Sequence, residues 1–525
     1  MLGKAISRFR LFAGLRGFLN NPISYDEARA MLARRLEERG ENFLYMLQQC
    51  VYGNPSSPYL PLLKEAQCTH EDVAADVRLH GVEGALNRLK EAGVWVSFEE
   101  YKGRKPIVRG RASVEASGEA FNNPGGAAGY SGRSGGSTGR PVATSVRLDH
   151  HVKRAAYESV MFRMLDLYDV PFALWYPQLP ADTGFGNSLR DARAGRAPDR
   201  WFDLLSDRQD KPGWEGRLMT WALVRASRLS SNPLAAPEPA GLGDVDRVLD
   251  WVLEQLASHG RCGLQSYVSQ GVRLSHAARQ RGAGLRGATF IIGSEPLTAA
   301  KAHEIEQSGA RFHPRYSSSD LGHVGLGCCD PAEVGDLHLA EDMIAMIQDD
   351  QGQGGHEGRV YYFTSLMEST PKVAINLELG DCGRAEERRC ACLLDEIGFH
   401  RHLLDVRSIS CVTCEGMTVP VAALVRIVEE VLCPKYGGSA LHYQWVEQED
   451  ERSYTRLRLR VDPRIGQVDG GRIVADVLNE FHRLSQSSRI VAGVWRGAGT
   501  VEVIRESPRP TTAGKTLPFM HEKAR

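Results

Sequence analysis

The stretch GATFIIGSEPLTAAKAHEIEQSGARFHPRYSSSD, Gly287 to Asp320, decides the fold. Its first part, ATFIIG, is a continuous apolar run of strand length that enters the tight loop GSEP. TAAKAHEIEQSG reads as a helix, and ARFHPRYSSSD as a second strand. Strand, helix and strand at this spacing imply a parallel sheet covered by helices. Upstream, HHVKRAAYESVMFRMLDLYD predicts a helix and PFALWYPQLP a buried strand. DVDRVLDWVLEQLASHG predicts a helix with Val245, Val248, Leu249, Val252 and Leu256 on one face.

From Tyr25 to about Lys90 the apolar spacing is helical, and GVWVSFEEYKGRKPIVRG reads as short strands joined by turns. The pattern changes after about Asp405. TVPVAALVRIVEEVL is a helix, SALHYQWVEQEDERSYTRLRLRVD an antiparallel hairpin, GGRIVADVLNEFHRLSQ a helix and TVEVIRES a final strand. These form a compact α+β unit of their own. DDQGQGGHEG, residues 349 to 358, reads as a surface turn.

Bulk composition narrows the function. A chain of 525 residues, 42% hydrophobic and 25% charged, is globular and too long for one core. Net charge is -1, so no global field favours nucleic acid, and small-molecule chemistry is the default. Eleven cysteines, odd in number and unevenly spaced, read as reduced thiols or metal ligands of a cytoplasmic protein. The N-terminal run MLGKAISRFRLFAGLRGFLNNP has no clear cleavage site, so no secretion signal is expected. It reads as a helix docked on the protein body, or as a basic amphipathic helix on a membrane surface. No stretch approaches the length of a membrane span.

A second glycine-rich segment, RSGGSTGRP from Arg133 to Pro141, permits a loop whose backbone N–H groups converge on an anion, with Ser137, Thr138 and Arg140 adding donors. It is not a P-loop, because no Lys-Ser or Lys-Thr follows, and a flexible linker has the same composition. Cys328, Cys329 and His338, with Cys390 and Cys392, supply the residue types of a Cys₃His zinc site or of a group of buried free thiols. His150 and His151 are expected to cap a helix or lie on the surface, and Cys411 and Cys414 to be core thiols. TGFGNS, 183 to 188, lines an acyl tunnel or is a simple turn.

Taken in order, these motifs resemble the adenylate-forming superfamily, in particular its phenylacetate-CoA ligase-like branch, from about residue 120 to the C-terminus. RSGGSTGRP resembles the phosphate loop SSG(S/T)TG(K/R)P, with Gly135 where a second serine is common. The resemblance gives Ser134, Gly136, Ser137, Thr138, Gly139 and Arg140 to nucleotide binding. GSEP, Gly293, Ser294, Glu295 and Pro296, resembles the G(G/A)EP turn beside adenine and acyl group. YSSSD is similar to YG(L/M)TE. Tyr316 then lies against adenine, Ser319 touches phosphate, and Asp320, one methylene shorter than the usual glutamate, helps hold Mg²⁺. LELGD resembles YRTGD and gives Asp381 the ribose hydroxyls, with Glu378 where arginine is usual. Arg407 resembles the hinge arginine, although Ile409 and Ser410 replace the hinge aspartates, and RPTTAGKT places Lys515 on the adenylation lysine. The family also keeps a cysteine before a G-L-H segment and a C-x-C-G after the ribose aspartate, which selects Cys328, His338, Cys390 and Cys392 as ligands of a structural Zn²⁺.

The resemblance implies an α/β fold. A large N-terminal adenylate-forming domain with mixed sheets and helices, 1–407 with a helical cap at about 1–95, precedes a small mobile α+β C-terminal domain, 408–525. It implies ATP-dependent activation of a small carboxylic acid as an acyl-adenylate and transfer to a thiol, most readily CoA. Rival readings are transfer to a carrier protein or an amine, and a non-catalytic nucleotide-binding homologue. Dimerisation is compatible with the resemblance, and the residues do not identify the acid.

Overall fold

The structure is a computed structural model that describes residues 2–125, 129–133, 143–179, 181–204, 214–349, 359–484, 486–510 and 516–522. Residues 134–142, with the candidate phosphate-loop positions Ser134 to Arg140, lie outside this set, as do Lys515 and 350–358 of the expected surface turn.

A twelve-stranded sheet organises the large part of the chain. Six of its strands are parallel: Pro237–Pro239, Arg200–Asp203, Phe172–Trp175, Cys262–Tyr267, Ala288–Gly293 and Arg311–Ser318. Ala288–Gly293 is buried at every position, because helices cover both faces of a parallel sheet. The helix Ala299–Gln307 makes the crossover between Ala288–Gly293 and Arg311–Ser318, as its sequence predicts. Arg311–Ser318 then pairs antiparallel with Gly322–Gly327, and the sheet continues antiparallel through Leu337–Leu339, Arg401–Ser408, Leu377–Glu387, Arg359–Ser365 and Ile344–Asp349. The strand that ends in the YSSSD motif is therefore the seam between the two halves. Ligands of α/β sheets settle at such a change of direction, beyond the strand carboxyl ends.

Five α-helices, Leu2–Leu19, Tyr25–Glu37, Arg39–Leu47, Leu60–Glu65 and His70–Glu91, make up the N-terminal segment. Ser24 starts the second through a capping box: its Oγ accepts from Glu27 N–H at 3.3 Å, and its own N–H donates to the Glu27 carboxylate at 2.9 Å. Leu11, Leu15, Phe18 and Leu19 of the first helix are buried, so that helix is docked on the body of the protein. Among the described residues no helix is long and apolar enough to cross a membrane.

Two local expectations need correction. Within GVWVSFEEYKGRKPIVRG, Phe98–Tyr101 is a short helix, because Ser97 and Glu100 form the S-x-x-E capping box that outweighs strand propensity. In the C-terminal region, Val501–Ile504 is not the last strand. Phe519–Glu522 follows and pairs in parallel with Tyr443–Glu449, a non-local pairing that a four-residue segment cannot announce by periodicity. The resulting four-stranded sheet has the order Val501–Ile504, Thr455–Val461, Tyr443–Glu449, Phe519–Glu522. Gly470–Leu484 supplies a core face of Ile473, Val477, Leu478 and Phe481. The spacing of three and four that predicts this helix is what brings those side chains to one side.

Candidate active site

A cavity of about 1090 Å³ opens at the carboxyl end of the seam strand. The motif residues Gly293, Ser294, Glu295, Pro296, Tyr316, Ser319, Asp320, Asp381 and Arg407 all border it, although they come from segments up to 114 positions apart (407 − 293). Glu447, Ile490 and His521 border it from the C-terminal region.

Each motif residue is held by its neighbours. The Tyr316 hydroxyl donates to the Asp381 carboxylate, which joins the seam strand to Leu377–Glu387 across the cavity. Burial pushes the Asp381 carboxyl up to about 6, against the opposing effect of the Tyr316 hydrogen bond. Glu295 accepts from Ser269 N–H at 2.7 Å, from Ser269 Oγ at 2.9 Å and from Gly416 N–H. It thus ties the GSEP turn to the hairpin Cys411–Pro420 instead of pointing free into the cavity. Gly416 has a φ of +71°, and a Cβ there would fall 2.1 Å from the Tyr267 ring, so glycine is required at the tip of that hairpin. Ser294 holds a φ of +64°, a left-handed conformation uncommon for serine and found at the cavity wall.

Asp320 lies in the turn between Arg311–Ser318 and Gly322–Gly327, not at a helix N-cap, and its N–H donates to Ser318 Oγ at 3.2 Å. Gly322, at a φ of +99°, closes that turn, and a Cβ there would sit 2.9 Å from His150 Nε2. Arg407 forms an ion pair with Asp405 at 3.3 Å. Of the two C-x-x-C thiols, Cys414 is buried as expected, while Cys411 is half-buried and borders the cavity.

His150 and His151 depart from expectation. Both are fully buried in the first turn of Leu148–Met164 rather than at the surface. Neighbouring elements cause this: the Gly322 turn covers His150, and Tyr130 stacks on His151 with its hydroxyl 2.9 Å from Nε2. Burial, aided by the charges of Arg154 and Arg190, holds both imidazoles well below their usual range, so they are neutral.

Around them is a polar group that the motifs do not announce. Glu158 Oε1 accepts from Arg315 at 2.7 Å and Arg190 Nε at 3.1 Å, and lies 3.2 Å from His323 Nε2. Burial opposes its charge, but Arg315 and His323 outweigh burial and hold this carboxyl well below the usual range. TGFGNS is the beginning of the helix Asp182–Arg193, and Asp182, Thr183, Asn187 and Arg190 of that helix border the cavity. One signal was available: His150, Arg154 and Glu158 recur every four residues along the helix, a polar stripe on one face.

The second predicted cluster is also assembled. The ligand atoms of Cys328, His338, Cys390 and Cys392 all lie within 4.8 Å of one another. His338 Nε2 is 3.1 Å from Cys392 Sγ and 3.5 Å from Cys390 Sγ, and the two sulfurs are 3.3 Å apart. The other ring nitrogen, Nδ1, is 2.8 Å from the Phe399 carbonyl, the contact that orients a metal-binding imidazole. Cys329 is exposed and outside this group. Three thiols and one correctly presented imidazole fit a tetrahedral soft-metal site.

No protein-family model matches the chain, and no curated protein sequence matches it. Among solved structures it is similar to a 2-hydroxyisobutyryl-CoA ligase in complex with 2-HIB-AMP and CoA in the thioesterification state, with a TM-score of 0.58 and 15% identity over 93% of this chain and 90% of that one. The same ligase in its postadenylation state gives 0.45, at 15% identity over 96% and 91% of the two chains. The amide bond synthetase McbA from Marinactinospora thermotolerans gives 0.42, at 14% identity over 98% of each. With a likeness at 0.58 that spans nine-tenths of both chains, the fold of this protein is that of the adenylate-forming ligases.

Proposed function

We propose that the protein activates a carboxylic acid with ATP, forming an acyl-adenylate and pyrophosphate, and then passes the acyl group to the thiol of CoA. The observation that carries this reading is the convergence of GSEP, YSSSD, Asp381 and Arg407 on one cavity, with the Tyr316 hydroxyl bonded to Asp381. A carboxylate is a poor electrophile at neutral pH. Attack of its oxygen on the α-phosphorus of ATP forms a C–O–P link, breaks the bond to the pyrophosphate oxygen and leaves a mixed anhydride with AMP as leaving group. The thiol then attacks the acyl carbon, AMP departs and the thiol proton is released.

The protein's contribution is positioning and charge stabilisation. Tyr316 flanks the adenine, Asp381 accepts from the ribose hydroxyls, and Ser134 to Arg140 surround the phosphates. Asp320 supplies a hard carboxylate oxygen that fits Mg²⁺, whose chemistry is to neutralise the developing phosphate charge. Lys515 bridges the reacting oxygens. In this reading residues 408–525 act as a mobile C-terminal domain that rotates between the two half-reactions. Cys328, His338, Cys390 and Cys392 would hold a structural Zn²⁺, and these residues bring the Leu337–Leu339 region and residues 390–392 together. The 2-hydroxyisobutyryl-CoA ligase, solved with an acyl-adenylate and CoA, is the relative by fold whose chemistry this reading extends to the present chain.

Pyrophosphate release measured across a panel of acids, with and without CoA, tests the reading. Acid-dependent release with thioester formation supports it. Acid-dependent release indifferent to CoA directs the acyl group to a carrier protein or an amine, and nucleotide binding without turnover on any acid identifies a non-catalytic homologue. For the metal, purified protein is expected to contain close to one zinc per chain. Cys390→Ser should lose it and melt several degrees lower, in line with the folding energy that a closed site contributes. Metal analysis that finds no zinc in the unaltered protein contradicts the assignment.

A further inference from the structure

Arg154 is 6% exposed and borders the cavity from the helix Leu148–Met164. Its Nε is buried without a partner, and among the described residues no carboxylate lies within ion-pair reach of its guanidinium. Two neighbouring acids already have partners. Glu158 Oε1 is shared by Arg190, Arg315 and His323, and Asp182 accepts from the Tyr130 hydroxyl. Asp191 is buried with neither carboxyl oxygen hydrogen-bonded, and burial, with the charge of Glu158, pushes its carboxyl up. Arg190 and Arg315 are thus both paired with Glu158, and among the described residues Arg154 is the guanidinium of this group left without an ion-pair partner. His150 and His151 are neutral and His323 is held well below its usual range, so the histidines do not alter that balance. Burial and the adjacent Arg190 press against the Arg154 charge, but arginine does not deprotonate in proteins.

A buried cation is retained when something pairs with it. Here the open side of the guanidinium is the cavity. The wall beside it is polar as well, with Asp182, Thr183, Asn187 and Arg190 from one helix. Tyr316 and Asp381, assigned above to the nucleotide, come from the sheet and not from this helical wall.

We propose that the acid activated by this protein carries a second anionic group, a carboxylate or a comparably charged oxyanion, and that Arg154, with Arg190 beside it, receives that group. This names the substrate class of the adenylate-forming site and rests on that reading.

The test is ATP–pyrophosphate exchange by the full chain with acids matched in length and differing in the far end: butanoate and succinate, hexanoate and adipate, 4-methylbenzoate and terephthalate. In at least one pair the doubly charged member should show the higher kcat/KM, by about tenfold or more. Arg154→Met should lower that value by about ten- to a hundredfold without changing the KM for ATP, and Arg154→Lys should recover part of it. Preference for the singly charged member in every pair overturns the proposal. So does an Arg154→Met variant that raises the KM for ATP and leaves the ranking of acids unchanged, because the guanidinium then serves a nucleotide phosphate. If no acid supports exchange, the adenylation reading fails by itself, and calorimetric titration with the same acids decides the present inference. Diacid binding that Arg154→Met weakens supports it, and absence of diacid binding overturns it.

Discussion

Lys515→Ala is expected to lower carboxylate-dependent pyrophosphate exchange by about a hundred- to a thousandfold, the scale on which a single charge-stabilising donor acts in a transition state. Lys515 lies outside the described residues, and the expectation rests on its place in the motif RPTTAGKT. Downstream of it, Phe519 pairs in parallel register with Trp445, and His521 of that strand and Glu447 of its partner border the cavity. Only adenylation should suffer: thioester formation from a chemically supplied acyl-adenylate should persist, and the melting temperature should hold. Near-normal exchange in the variant would refute the assignment.

The second large effect is expected at Asp381. A charged acceptor for ribose hydroxyls contributes about 1.5–3 kcal/mol, so Asp381→Asn should weaken AMP binding by about ten- to a hundredfold. The pH dependence is the sharper test. Burial raises this carboxyl to about 6, so the charged acceptor is incompletely formed at pH 5 and well formed at pH 7. AMP affinity should therefore strengthen as pH rises through about 6 and level off above it, and Asp381→Asn should flatten that rise. Stability runs in the opposite sense. A raised native-state pKa gives a contribution that is fully present below the unfolded value and lost as pH rises through about 6. At neutral pH the buried charge costs stability in the nucleotide-free protein, and Asp381→Asn should melt no lower than the parent. Calorimetry from pH 5 to 8 and thermal melts check both statements. A variant that binds AMP like the parent, or one that loses affinity because it unfolds, contradicts them.

The parallel half of the large sheet was legible because burial on both faces writes an unbroken apolar run such as ATFIIG, and the intervening helix carries its own period. The antiparallel half was not. Leu377–Glu387 mixes buried, half-buried and exposed positions without a period of two and carries polar residues throughout, so it reads as a motif, LELGD, before it reads as a strand. Tyr316, Asp320 and Asp381 were legible as candidates that border one cavity because their motifs, YSSSD and LELGD, are distinctive in the sequence. Arg154 was not, because its meaning is a deficit: a helix position says nothing of which carboxylates its neighbours have already taken. His150 and His151 failed for a related reason. Two adjacent histidines at a strand–helix junction look solvated, and only the Gly322 turn and Tyr130, distant in sequence, bury them.

The central claim is that a carboxylate oxygen of the substrate attacks the α-phosphorus of ATP inside the cavity that unites GSEP, YSSSD and Asp381. Mass spectrometry of AMP formed from a turned-over acid labelled with ¹⁸O in the carboxylate to be activated tests it directly. Each AMP produced should carry one labelled oxygen; AMP that appears without label would show that the acid is not adenylated and contradict the account.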